Sequence, residues 1–391
     1  MIRIPALLVL VTLLSGCSTM SSWVDGITGG DDNAQPPAEL KPIEAPVSLE
    51  RIWNTSVGVG NDGQFVTLVP AIVDGVLYAA DRKGRVVALD AATGKGIWSV
   101  NIKAPVSAGP AAGGGLVLLG TSDARVIALN TTDGALLWTT QVSSEVLAVP
   151  QLDIDRVIVQ TADGTIAGLD AEDGHQVWIS DRTVPVLTLR GTSTPAVEHG
   201  VVLAGFSNGK LVAFGAEKGF VVWEKSIAIP KGRSELERIV DIDGDPVIAG
   251  SSVFVVTYQG RVARLDVQTG NVDWERDMSS SAGVGVDYSQ VYVTDDNSYV
   301  WALSRNSGAS AWKLEALANR GLTAPESFGE YVVVADAQGY VHLLARNDGH
   351  IAGRVELDGK GVRVKPLVVG DVLYVYGNSG KLAAYRLHSE S

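Results

Sequence analysis

Apolar and polar positions along most of this chain alternate with a period of two, in short runs broken by Gly- and Asp-containing turns. The alternation itself repeats. The stretch from Pro70 to Trp98 reads PAIVDGVLYAADRKGRVVALDAATGKGIW. Its strand-like runs are 71–73, 76–80, 85–89 and 97–100, which predicts four short strands joined by tight turns. The pattern recurs from Pro110 to Trp138, Pro150 to Trp178, Pro195 to Trp223 and Pro246 to Trp274. It recurs in weaker form from Val284 to Trp312 and from Pro325 to Gly353, always with 28 positions between first and last residue. Nothing in the body sustains a 3.6-residue period, so helix is expected to be scarce.

A four-stranded unit cannot bury both faces alone. Copies stacked around an axis can, and the expected fold is an all-β, eight-bladed β-propeller of four-stranded antiparallel blades. Trp53, Trp98, Trp138, Trp178, Trp223, Trp274 and Trp312 are the expected adhesive between blades, each a large flat ring whose N–H needs an acceptor. Seven copies carry glycine at one turn position, from Gly94 to Gly349, as a turn with positive φ requires. Ala88, Ala128, Gly168, Ala213 and Ala302 stand ten positions before their tryptophans and leave room for a neighbouring ring. Arg264 breaks that series and Gly353 replaces a tryptophan, so those two blades are expected to pack less regularly. The chain ends set the blade count. Residues 366–386 supply three strands without a fourth, whereas the segment around Trp53 is a fourth strand without three before it. Their pairing completes an eighth blade, closes the ring and removes exposed sheet edges.

The net charge of −13 excludes nucleic acid as an expected partner, because phosphate neutralisation needs a surplus of Lys and Arg. The five histidines do not cluster in sequence and the one cysteine is Cys17, so no disulfide and no thiolate metal cage is expected. A short basic start, an apolar run from Ile4 to Leu14 and then Leu14-Ser15-Gly16-Cys17 read as an export signal too short to span a membrane. Leu-Ser-Gly-Cys resembles the lipobox of bacterial lipoproteins, which implies cleavage before Cys17, lipidation of its side chain and, with Ser18 next, the periplasmic face of the outer membrane. Residues 17–46, with Gly29-Gly30, Pro36-Pro37, Pro42 and Pro46, read as the lipidated cysteine and a flexible tether. The resulting division is a signal peptide over 1–16, the tether over 17–46 and the propeller over 47–391.

Because the blade interiors are constant, length varies between them. Trp98 to Pro110 and Trp138 to Pro150 are 12 positions, but Trp178 to Pro195 is 17 and Trp223 to Pro246 is 23. These connections emerge on one face of a propeller, and the two long ones belong to consecutive blades. They are expected to be neighbours and to mark a binding face. On that reading Leu187 and Leu189 are exposed apolar anchors and Arg190 a charged one.

The segment Ala88-Leu89-Asp90-Ala-Ala-Thr-Gly94-Lys-Gly-Ile-Trp98 resembles the tryptophan-docking motif of pyrroloquinoline-quinone-type propellers, over about residues 50–386. Lipobox, tether and eight such blades together resemble the BamB family, the propeller lipoproteins of the outer-membrane β-barrel assembly (BAM) machinery. Leu187-Thr-Leu189-Arg190-Gly191 and Asp241-Ile-Asp243 add to that resemblance. It implies a non-enzymatic scaffold that binds BamA through its periplasmic POTRA domains, alongside other BAM members, with Leu187, Leu189, Arg190, Asp241 and Asp243 as contact positions. It implies no cofactor beyond the lipid on Cys17. Unfolded outer-membrane proteins are a further implied partner, received by edge pairing. A quinoprotein dehydrogenase and a ligand-binding propeller are the alternatives. The dehydrogenases of this resemblance are larger and carry a vicinal cysteine pair, which this chain lacks.

Three local motifs point elsewhere and fail on context. Gly58-Val-Gly60-Asn-Asp-Gly63 is followed by Pro70 and strand pattern rather than a helix, so no nucleotide site is expected. Gly205-Phe-Ser207-Asn-Gly209 matches a nucleophile elbow, but Ser207 falls at a hairpin turn of the repeat. Asp241-Ile-Asp243-Gly-Asp245 begins like a calcium loop, yet Pro246 stands where that loop needs glycine and Ser252 where it needs glutamate. Neither a catalytic residue nor a metal site is expected, and His175 and His350 read as solvated turn residues.

Overall fold

The first blade of the computed structural model consists of strands Ala71–Val73, Val76–Ala80, Arg85–Asp90 and Gly96–Asn101, paired in sequence order. The structure describes residues 35–43, 47–185, 187–189, 191–234 and 236–389. Antiparallel blades of the same order follow over 106–141, 151–181, 196–226, 247–277, 284–314 and 326–356. No helix occurs among the described residues. The first strands of successive blades touch one another, so they line the axis and the fourth strands form the outer edges.

The eighth blade joins the two ends of the chain. Strands Leu367–Val369, Val372–Tyr376 and Lys381–Ser389 are completed by Val47–Ser56, with Trp53 opposite Ala384 and Ser56 opposite Lys381. Among the described residues one strand lies outside the repeat pattern. Thr67–Leu68 pairs in parallel with Val106–Gly113, making blade 2 five-stranded.

Each tryptophan of the repeat seals a blade junction. The indole N–H of Trp53 donates to Ala91 O at 2.9 Å, that of Trp98 to Thr131 O at 2.8 Å and that of Trp138 to Ala171 O at 3.0 Å. Trp178, Trp223, Trp274 and Trp312 repeat the bond to Ala216, Val267, Arg305 and Arg346. The ring then lies flat on the turn glycine of the next blade. A Cβ on Gly94, Gly134, Gly174, Gly219, Gly270, Gly308 or Gly349 would stand 2.4–2.8 Å from ring atoms. These glycines also have φ between +68° and +77°, so turn geometry and ring contact exclude a side chain independently.

The small residues ten positions earlier clear the ring of their own blade, not a neighbour's. Ala88 pairs with Trp98 in one sheet, and a Cβ on Gly168 would stand 2.2 Å from Trp178 Nε1. The two blades expected to be irregular keep the common register, including the bulge near the start of the fourth strand. Arg264 is accommodated by hydrogen bonds of its guanidinium, Nε to Ser252 Oγ at 2.9 Å and Nη1 to Arg305 O at 3.2 Å. At Gly353 the missing indole has no turn to dock on. Blade 8 takes its third and fourth strands from opposite chain ends, so its corresponding turn does not exist. Val47 fills the place, its carbonyl 2.7 Å from where a Gly353 Cβ would be.

The compact body begins at Pro37 rather than at residue 47. Ala38 N donates to Ala318 O at 2.8 Å, Arg320 Nη1 donates to Ala38 O at 2.9 Å, and Arg354 Nη1 donates to Lys41 O at 3.2 Å. Leu40 packs on the Trp312 cluster. Behind this segment is a buried network. Arg320 Nε donates to Asp336 Oδ2 at 2.7 Å, and His342 Nε2 lies 3.0 Å from the same oxygen. Arg354 Nε donates to His342 Nδ1 at 3.2 Å, which leaves the ring proton on Nε2, facing Asp336. Burial lowers the His342 pKa, while His342 and Arg320 help hold the Asp336 carboxyl below its ordinary value. Cys17 lies outside the described residues.

Candidate partner-docking site

The two long connections, 182–195 after blade 3 and 227–246 after blade 4, lie side by side, as their consecutive origin requires. Thr194 N donates to Asp245 Oδ1 at 2.6 Å. Gly191 sits on Asp243 so closely that a Cβ would fall 2.4 Å from Asp243 Oδ1. The Leu189 N–H donates to the Asp241 carboxylate. Asp241 O in turn accepts from Tyr258 N at 2.8 Å, which fixes the second connection to blade 5.

The five positions carried over from the family resemblance therefore separate. Leu187 is exposed. Leu189 is half-buried and opens onto a cavity of about 770 Å³ at the axial mouth, which it lines with Phe65, Asp243, Asp245, Arg363 and Lys365. Asp243 is half-buried, and Asp241 is only 2% exposed. Asp241 thus lies buried behind the 187–189 stretch rather than exposed on the docking face. Arg190 lies outside the described residues.

Burial raises the Asp241 carboxyl to about 8, helped by the Asp243 charge beside it. Burial likewise raises Asp243, to about 6, with Asp245 and Asp296 adding to the effect. Asp245 is open to the cavity, yet the surrounding protein raises its carboxyl too. Across the mouth the charge is reversed. Arg363 stacks over the Phe65 ring at 3.9 Å, and Lys365 pairs with Glu326 at 2.6 Å.

Sequence reasoning missed two apolar residues on the second long connection, Ile229 and Leu236, which are 66% and 68% exposed. The detectable signal was an apolar side chain within a run of Gly, Lys, Arg and Glu. The loop tip is held by Glu237, whose Oε2 accepts from Arg233 N at 2.7 Å and Ser234 N at 3.1 Å.

Ser207 sits in the hairpin turn between strands Val201–Gly205 and Lys210–Gly215. His175 and His350 are exposed, each beside an aspartate of its own turn at 2.7 Å.

The sequence profile described as outer membrane protein assembly factor BamB matches residues 82–314, and that of the glucose/ethanol/alcohol dehydrogenase β-propeller domain matches residues 44–111. The chain is 49% identical to outer membrane protein assembly factor BamB of Pseudomonas aeruginosa, over 98% of both chains. It is 50% identical to that of Alkalilimnicola ehrlichii, over 89% of this chain and 91% of the relative. Among solved structures, BamB from Moraxella catarrhalis superposes with a TM-score of 0.80 at 28% identity, covering 86% of this chain and 99% of that one. Quinohemoprotein alcohol dehydrogenase from Comamonas testosteroni superposes with a TM-score of 0.69 at 14% identity, over 86% of this chain and 76% of that one, a likeness of fold alone.

Proposed function

The chain belongs to the family of outer membrane protein assembly factor BamB, and from that membership we propose that it is a non-enzymatic scaffold that docks BamA, through the POTRA domains, on its long-connection face. The observation that carries this reading is the exposure of Leu187, Ile229 and Leu236 on two connections that are themselves held in place by hydrogen bonds. Exposed apolar side chains on ordered loops bind with little conformational cost, and a few such anchors supply most of an interface's free energy.

The lipid on Cys17 would hold the protein at the periplasmic face of the outer membrane, among the other BAM members. Ala38 meets the connection between blades 6 and 7, on the same face as the two long connections. Such an anchor would raise the local concentration of the docking face near a membrane-embedded partner. The fourth strands of blades 1 to 4 expose Ile97, Leu136, Leu137, Val177, Ile179 and Val221 along unpaired edges. This rim would receive strands of unfolded outer-membrane proteins. No cofactor is assigned.

The test is to replace Leu187, Leu189 and Arg190 together and measure co-purification with BamA from membranes. A folded variant that associates undiminished would sink the proposed interface.

A further inference from the structure

Behind the docking face, the turn at Gln160, the two long connections and the turn at Ser207 enclose a cavity of about 20 Å³, the volume of one water-sized sphere. Two of its lining side chains are 2% exposed and carry an oxygen without a hydrogen-bond partner among the described residues, Gln160 Oε1 and Asp241 Oδ2. The Gln160 amide is fixed in orientation, because its Nε2 donates to Gly205 O at 2.7 Å. Its remaining group is therefore an acceptor. Thr188, Thr192 and Ser207 add hydroxyl oxygens, and no basic side chain lines the cavity among the described residues. Two buried acceptors left without a hydrogen-bond partner are a costly arrangement. A water would satisfy both only while Asp241 stays protonated, the state that burial and the Asp243 charge favour when no counter-ion is near. A hard cation satisfies both oxygens and the charge together, and all-oxygen surroundings are what such ions take.

We propose that this cavity is a binding site for one small hard cation of the sodium or calcium class, with Gln160 Oε1 and Asp241 Oδ2 as its fixed ligands. Its ligands come from separate chain segments, which is why the linear calcium-loop pattern starting at Asp241 fails while the site itself stands. A bound ion ties blade 3 to the second long connection and so stiffens both loops. Any effect on partner affinity rests on the docking role proposed above. Ion binding does not.

The test is calorimetric titration of the full chain after chelator treatment and dialysis into choline chloride, with calcium chloride in one arm and sodium chloride in the other. Thermal unfolding is followed in parallel. Saturable one-to-one binding with a raised Tm is expected in one arm. Asp241→Asn and Gln160→Met should each weaken it about tenfold or more, with unchanged circular dichroism. Should Asp241→Asn fail to fold, Gln160→Met decides alone, since it removes a neutral amide, with its bond to Gly205 O, and no charge. Absence of saturable binding in both arms would overturn the proposal and leave the cavity to water or a proton on Asp241. Binding that survives both substitutions would overturn it equally, placing the ion at exposed carboxylates such as Asp170 and Asp173.

Discussion

Trp53, near the start of the chain, lies flat on Gly94 of blade 1, so that a Cβ on Gly94 would stand 2.6 Å from Cδ2 of the ring. This contact seals the junction between the composite eighth blade and the first. Gly94→Ala should be destabilising by about 2–4 kcal/mol, combining a left-handed alanine with overpacking against the indole. Gly75 is the control. Its φ of +76° is similar, but nothing lies within 4 Å of its would-be Cβ. Gly75→Ala should cost only the conformational part, about 1–2 kcal/mol. Denaturant unfolding of both variants measures the difference, and equal losses would show that the ring contact contributes nothing.

Restoring the repeat at its one gap should do harm. By repeat logic Gly353→Trp is a consensus substitution. In the structure it drives an indole into Val47 O, 2.7 Å from the would-be Cβ, with no turn beyond to accept the ring. A loss of about 1–3 kcal/mol is expected, read as a lowered Tm. A raised Tm would mean that the chain ends can move aside and that closure is looser than described.

Acid should loosen the N-terminal segment at residues 37–41. Burial depresses the His342 pKa, so below its ordinary value near 6.5 the unfolded chain binds a proton that the folded chain refuses. Stability therefore falls as the pH drops through about 6.5 and continues falling until His342 is protonated in the fold. Asp336, also depressed, gives stability that is present above its ordinary value of 3.8 and lost below it, at still lower pH. The protection factor of the Ala38 amide, which donates to Ala318 O, should fall between pH 7 and pH 5. In His342→Gln that fall should shrink. Identical profiles would detach the network from the segment.

Leu187 and Asp241 should fail for different reasons. Leu187→Ser alters an exposed side chain, so stability should change by no more than about 0.5 kcal/mol while association with BamA falls. Asp241→Ala removes the acceptor of the Leu189 N–H. Association should fall there as well, but accompanied by faster exchange of the Leu189 amide, which Leu187→Ser leaves unchanged. Slow Leu189 exchange in Asp241→Ala would remove Asp241 from its supporting role.

Blade number, strand order, ring closure at Trp53 and the adjacency of the two long connections were legible from residue spacing. Spacing reports them because each blade is a local unit, whose pairing is set by two-residue periodicity and by turns a few residues long. Tertiary structure decided what depends on segments distant in sequence. Whether Asp241 faces a partner or the interior turns on Gln160 and Leu189, 81 and 52 positions away, and no periodicity encodes that. The parallel strand Thr67–Leu68 needs an acceptor edge on blade 2, and the pinned segment at 37–41 needs Arg320 and Arg354. The gap at Gly353 shows the division most plainly. The sequence by itself determined that a tryptophan is missing there. Only the folded ring shows why none belongs, because the turn it would cover is the place where the two ends of the chain meet.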